Sequence, residues 1–169
     1  MNPRYLAAAA DPLVHAALAA AVVAPLGRRP MATAVAAGTV IDVDHVVAAR
    51  SAWPSAMLSL RTRPRSHTLL ATVAAAALGT AAGGPVHGWA AFAGLTSHLL
   101  RDASDDAAAT PLLWPLRPAR QIGRAPAAAG VAALALGSWA ISRRAARGAG
   151  PTFADAAGGA GASARPRTG

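Results

Sequence analysis

Cysteine, lysine and glutamate are absent from this 169-residue chain, and its aromatic complement is four Trp, two Phe and one Tyr. Without cysteine there is no disulfide framework, no thiolate zinc site and no cysteine nucleophile, so any metal has to be held by nitrogen and oxygen. All 16 basic residues are arginine and all seven acids are aspartate. The alanine and arginine bias reads first as codon usage in a GC-rich bacterial genome. A net charge of +9 would suit nucleic acid, but the arginines lie beside apolar segments rather than along one helix stripe, and few aromatics could stack on bases. No nucleic-acid partner is expected. Membrane lipid is the expected partner, with anionic headgroups at the arginine-rich end.

Hydrophobic residues make up 54% of the chain and mean hydropathy is +0.35, with the polar residues bunched together, which points to a membrane setting. The length fits one domain. Apolar runs at about 12–26, 31–49, 67–82, 86–101 and 126–142 are rich in alanine and leucine and read as helices. Asp11-Pro12 reads as an N-cap followed by proline at the first helical position, and together they interrupt a signal-peptide reading of the first run. Gly27 with Pro30, and then Gly83-Gly84-Pro85, read as breaks. Several runs fall short of the ~20 residues that cross a bilayer squarely. The expected fold is all-α: a membrane-associated up-down bundle of four to five helices over residues 1–142. The Arg/Gly/Ala/Pro-rich stretch 143–169 is expected to be a disordered tail. No internal repeat is visible.

Against this apolar background stand His15, the Asp42-Val43-Asp44-His45 cluster, His67, and His98 with Asp102. Uncompensated charge is expensive in such surroundings, and a divalent cation is an economical partner for imidazoles and carboxylates. If the first four helices run up and down, starts of odd helices and ends of even ones share one end of the bundle, and all seven side chains meet there. His87, in the opposite connection, is expected roughly 20–25 Å away at 1.5 Å per residue and not to be a ligand. His98 and Asp102, four apart, emerge on one helix face and can grip one ion. Asp42 and His45 can share a face. Asp44 points elsewhere and suits an outer-shell or general-base role, although the choice of ligand between Asp42 and Asp44 stays open. His67 opens a helix after Arg61, Arg63 and Arg65, arginines that either face lipid or solvent or hold a substrate phosphate. His15 is either a ligand or a histidine hydrogen-bonded inside its helix. The 50–66 and 101–124 segments carry four arginines each and 81–88 none, which puts the polar end in the cytoplasm; Arg28 and Arg29 lie on the other side.

Three segments, Val40 to His45, Arg63-Pro64-Arg65-Ser66-His67-Thr68, and Gly94 to Asp102 running on to Leu112-Leu113-Trp114-Pro115, resemble the membrane-bound metal-dependent hydrolase family typified by the bacterial inner-membrane protein YdjM. His15 matches that family's early helix histidine, and the resemblance covers about residues 10–118. It implies a helical protein of the bacterial inner membrane, distantly similar to zinc-dependent phospholipase C and P1-type nucleases, with His15, Asp42 or Asp44, His67, His98 and Asp102 as ligands. The family's histidine five positions before His67 is Thr62 here, and a second H-x-x-x-acid pair is missing. Both departures favour one or two ions over three.

The expected function is hydrolysis of phosphoester bonds in a lipid or lipid-linked substrate. A divalent metal, zinc or alternatively manganese, would be held by His15, Asp42, His45, His67, His98 and Asp102. Asp44 would orient or deprotonate water, and Arg63 or Arg65 would offset phosphate charge. The alternatives are a non-catalytic membrane scaffold with a structural metal and a proton or ion conduit.

Overall fold

In a computed structural model of the chain, residues 3–53, 56–57, 59–105 and 108–148 are described; the side chains of 3–9 are left out of the account. Helix α1 spans Pro3–Val23 and is followed by a 3-10 turn, Ala24–Leu26. Then come α2 (Arg28–Val40), the short α3 (Val43–Ala49), α4 (Leu69–Gly83), α5 (Pro85–Ser104) and α6 (Arg124–Gly148). With α2 and α3 counted as one interrupted helix, the described residues form the expected all-α bundle.

Pairings across the helices give their directions. Thr33 meets His87 and Gly38 meets His98, so α2 and α5 run parallel. Asp11 meets Arg101 and His15 stacks on His98, so α1 opposes α5. Gly83 lies against His87 and Gly79 against Ala91, and Gly130 lies against Leu100 and Gly137 against Trp89, so α4 and α6 oppose α5 as well. The order is up-down, with α5 in the middle touching α1, α2, α4 and α6. The apolar core is built from small side chains, among them Ala19, Val22, Val23, Ala34, Ala90, Ala93 and Leu134.

The glycine breaks fall where expected: Gly27 at φ 93° and Gly84 at φ 81° hold backbone that side-chain-bearing residues rarely adopt. Three expectations need correction. Asp11-Pro12 does not cap α1, because the helix continues through Pro12 back to Pro3; Asp11 is held by Arg101 and His15 instead of by the chain's own amides. The second apolar run is not one helix but breaks at Ile41–Asp42, so Asp42 precedes α3 while Asp44 and His45 lie in its first turn. The last helix extends through Arg143 to Gly148, into the stretch read as tail. The rest of that expected tail, 149–169, lies outside the described residues.

Arg28–Ala49, taken through its break, and Arg124–Gly148 are long and apolar enough to cross a membrane, while Ala10–Leu26 and Leu69–Gly83 are apolar but shorter.

The contact that sets the site is the approach of α2 to α5. A methyl group on Gly94 would sit 2.7 Å from Ala34 Cα, and one on Gly38 would sit 3.1 Å from Gly94 O. Backbone this close is possible only without Cβ atoms, as in small-residue helix contacts generally. Gly94→Ala is expected to force α2 and α5 apart and to cost about 1–3 kcal/mol, the usual range for overpacking. Thermal unfolding in detergent checks this, and an unchanged midpoint would show that the helices do not meet here.

Candidate metal centre

Each side chain reaches the cluster for a local reason. The α2/α3 break turns the chain so that Asp42, Asp44 and His45 face inward. His67 sits one residue before Thr68, the N-cap of α4, which accepts a hydrogen bond from Ala71 N at 3.3 Å and so ends the preceding loop. The loop carrying Arg63 is itself pinned, Arg63 N donating to Ala109 O at 2.9 Å. His98 and Asp102 are one turn apart on α5, at 3.3 Å between Nε2 and Oδ2.

Among the described residues two groups of side chains could hold a metal ion: His15, His98 and Asp102, and Asp42, His45 and His67. They adjoin. His67 Nε2 lies 3.4 Å from His98 Nε2 and 3.4 Å from Asp102 Oδ2, and His98 Nε2 lies 3.5 Å from Asp42 Oδ1. The proton positions follow from the outer partners. His98 Nδ1 is 2.6 Å from Gly38 O, and a carbonyl can only accept, so Nδ1 carries the proton. His67 Nδ1 is 3.2 Å from Asp44 Oδ2, a carboxylate–histidine pair that Ser66 Oγ completes by donating to the same oxygen. Both rings therefore turn an Nε2 lone pair toward Asp102 Oδ2, and three acceptors meet with no donor among them. Among the described residues neither Asp102 oxygen accepts an aligned hydrogen bond, although both are buried; Oδ1 has the charge of Arg63 Nη2 at 3.2 Å, and Oδ2 has no cation beside it. Facing lone pairs in a buried site repel unless a cation or a proton lies between them.

Charge tells the same story. Asp11, Asp42, Asp44 and Asp102 bring four negative charges, while Arg63 and Arg101 bring two positive ones through contacts of 3.2 Å to Asp102 and 2.5 Å to Asp11. With neutral imidazoles the acids outnumber the arginines, a net negative charge that a divalent ion would offset. Asp105, at the rim, lies 3.8 Å from Arg63. Burial disfavours a charged ring at His67, but its contacts to Asp102 and Asp44 outweigh that and raise its pKa above the ordinary value, so that without an ion a proton is drawn into the place among the three atoms that a cation would otherwise take. His15, His67, His98 and Asp102 have side-chain exposures of 0%, so the donor set is closed on that side.

The remaining expected residues are placed as follows. His45 Nδ1 lies 3.7 Å from Asp42 Oδ1 and 3.2 Å from Asp44 Oδ1, and its Nε2 faces Arg63 Nη1 at 3.3 Å. His15 Nε2 faces Asp102 Oδ1 at 3.3 Å. Arg65 is exposed and lies over the Trp114 ring, 5.4 Å from its centroid, so it is not brought into the cluster. His87 bonds Thr33 at 2.8 Å. Eleven residues of α5 separate it from His98, which is about 16 Å at 1.5 Å per residue, shorter than expected but far outside coordination range.

Asp11, read from the sequence as a helix cap, and Arg101 were not expected at the cluster. Asp11 lies 3.4 Å from His15 Nε2, and Arg101 Nη1 lies 3.2 Å from the same atom. The signal was there: Asp11 and His15 have the same four-residue spacing as His98 and Asp102, with the order reversed, on a helix that runs the opposite way.

A bundle of alanine-rich helices closed around buried imidazoles and carboxylates defines a helical protein with a candidate metal centre. Comparison with known proteins takes this one step further: the family model of the YdjM inner membrane protein matches residues 11–159, and the chain belongs to that family. No curated protein and no solved structure shows a significant match.

Replacing the partner of a ligand should act through the ligand. Asp44→Asn is expected to weaken metal binding about 10–100-fold, as loss of an outer-shell carboxylate typically does, whereas His87→Ala leaves metal content unchanged. Chelator competition on purified protein measures both. Unchanged affinity in the first variant, or lost metal in the second, would contradict the arrangement.

Proposed function

We propose that this protein is a multi-pass inner-membrane, metal-dependent hydrolase of phosphoester bonds in a lipid or lipid-linked substrate, with its metal end facing the cytoplasm. The observation that carries this reading is the triangle of His67 Nε2, His98 Nε2 and Asp102 Oδ2, with edges of 3.3 to 3.4 Å. Tetrahedral coordination with bonds of about 2.0–2.1 Å has edges of about 3.3–3.4 Å, so the donor spacing favours zinc; manganese, which prefers more and harder oxygen ligands, fits less well. His67, His98 and Asp102 would hold one ion with Asp42 approaching as a fourth donor, and His15 and His45 flank it on either side. A second ion would draw on the same two groups.

A divalent cation bound there supplies Lewis acidity, lowering the pKa of water and polarising a phosphoryl oxygen. The protein's own groups do the rest. Asp44 fixes the tautomer and orientation of His67, and Gly38 O does so for His98. Asp44, expected to act on the water, has Oδ2 engaged by His67 and Ser66; in this reading the water is oriented instead by Asp42, whose Oδ2 has no hydrogen-bond partner among the described residues. Arg63, with its Nε also unpartnered, presents positive charge where a phosphate would enter. The distant likeness to phospholipase C and P1-type nucleases forms part of this proposal, resting on the shared histidine–acid pair one helical turn apart.

A second reading, a structural metal that clamps the helices of a non-catalytic scaffold, is favoured by one observation: the deepest four donors are wholly shielded. Metal content and activity separate the two. Purified wild-type protein is expected to carry metal and to cleave a chromogenic phosphodiester. Asp102→Asn should lose both metal and activity, and Arg63→Gln should keep metal and lose about 100-fold in rate, the scale of one electrostatic stabiliser. Protein with no metal above trace would remove both readings. Metal-loaded protein without phosphodiesterase activity, or activity unchanged in Asp102→Asn, would remove the hydrolase.

A further inference from the structure

The connection from α5 to α6 builds a surface that the metal cluster does not use. Its base is tied down. Thr110 and Arg120 exchange backbone hydrogen bonds at 3.2 and 3.0 Å, Ile122 N donates to Ala103 O at 2.7 Å, and Leu69 N donates to Leu112 O at 2.9 Å. Ala109 accepts from Arg63 N, so the same base also supports the segment that enters the cluster. Pro111 is buried, and the chain then turns outward through residues 112–116. The tip is apolar and open: Leu116 is 87% exposed, Leu113 45% and Trp114 41%. Loops that stand in water usually present polar tips, because an exposed leucine and indole gain nothing there.

We propose that the 111–117 loop is an interfacial docking element that seats the metal end of the bundle in a layer of anionic phospholipid headgroups. Three features of the loop select this occupant. Arginine surrounds the apolar tip: Arg65 stacks on Trp114, and Arg117, Arg120 and Arg124 are exposed along the return. Guanidinium groups pair with phosphate in a bidentate manner, and indole rings favour the headgroup level of a bilayer. The tip is also continuous with an apolar helix face, since Leu112 is bonded to the first residue of α4, where Leu69, Leu70 and Val73 are exposed. Finally, the loop is held by backbone hydrogen bonds at its base, so its apolar residues are presented as a fixed wedge rather than a mobile strand. The inference stands on the loop alone and needs neither a bound metal nor catalysis.

The absence of native cysteine makes the test specific. Full-length Leu116→Cys protein, labelled with an environment-sensitive fluorophore, is reconstituted into vesicles of phosphatidylcholine alone or of phosphatidylcholine mixed with phosphatidylglycerol. A Leu136→Cys label on the exposed face of α6 serves as the reconstitution control. The expected result is blue-shifted emission at position 116, quenching by lipid-borne nitroxide, and a severalfold drop in quenching by neutral acrylamide when phosphatidylglycerol is present. Arg117→Ser with Arg120→Ser should remove the dependence on phosphatidylglycerol. Equal acrylamide quenching in both vesicles would overturn the proposal. So would shielding that ignores lipid charge and disappears when the protein is diluted in the bilayer, which would mark a contact between copies.

Discussion

The hydrogen bond from His98 Nδ1 to Gly38 O, 2.6 Å long, is the contact on which the cluster depends. It requires two helices to touch backbone to backbone, which Gly38 and Gly94 allow. It fixes the tautomer of His98, and that in turn points a lone pair at Asp102 and His67. Remove the approach and the ring is free to rotate, and the three facing acceptors no longer define one position. Packing and chemistry are thus the same feature seen at two scales: absent Cβ atoms let a carbonyl reach an imidazole, and the carbonyl sets which nitrogen is basic.

The alanine-rich composition is what makes this bundle able to hold charge. Small side chains bring helix axes close, so that donors from α1, α3, α5 and the loop before α4 meet in one place. They also provide little polar surface to solvate an ion. The acids are instead compensated in pairs and layers: Arg101 with Asp11, Arg63 with Asp102, Ser66 and His67 with Asp44. These acids thereby have an answering group, as low-dielectric surroundings demand. For Asp102 the answer is partial. It faces more acceptors than donors, and that imbalance is where a cation is called for.

Much of this was legible in the chain itself. Helical periodicity placed His98 and Asp102 on one face, and short connections implied the up-down order that gathers His15, His45 and His67 with them; His87 fell outside by the same logic. What was not legible depended on tertiary context. Asp-Pro is a good helix start locally, but α1 has Arg101 across from it, and an ion pair there replaces the need for a cap. The break at Ile41–Asp42 carries no glycine or proline to announce it. The Gly38 carbonyl could not be found by reading side chains at all, because backbone acceptors become specific only once helices pack. Arg65 and Arg63 looked equivalent in sequence, yet one lies on Trp114 and the other on Asp102.

Exposure across the cluster is graded, and the gradient gives it a direction. His15, His67, His98 and Asp102 have no exposed side-chain surface, whereas Asp42 retains 26%, Asp44 22%, Arg63 14% and His45 10%. A site closed on all sides would suit a purely structural ion, and one open on all sides would hold it loosely. Here the α1 side is sealed by the stacked His15 and His98 rings, 3.7 Å between centroids, and the α3 side is open past a carboxylate and a guanidinium. The half-exposed edge of the cluster is thus lined by Asp42 and Arg63, a carboxylate and a guanidinium. The same edge rests on the base of the 111–117 loop, through the hydrogen bond from Arg63 N to Ala109 O, so the half-exposed side of the cluster and the loop are held by one piece of backbone.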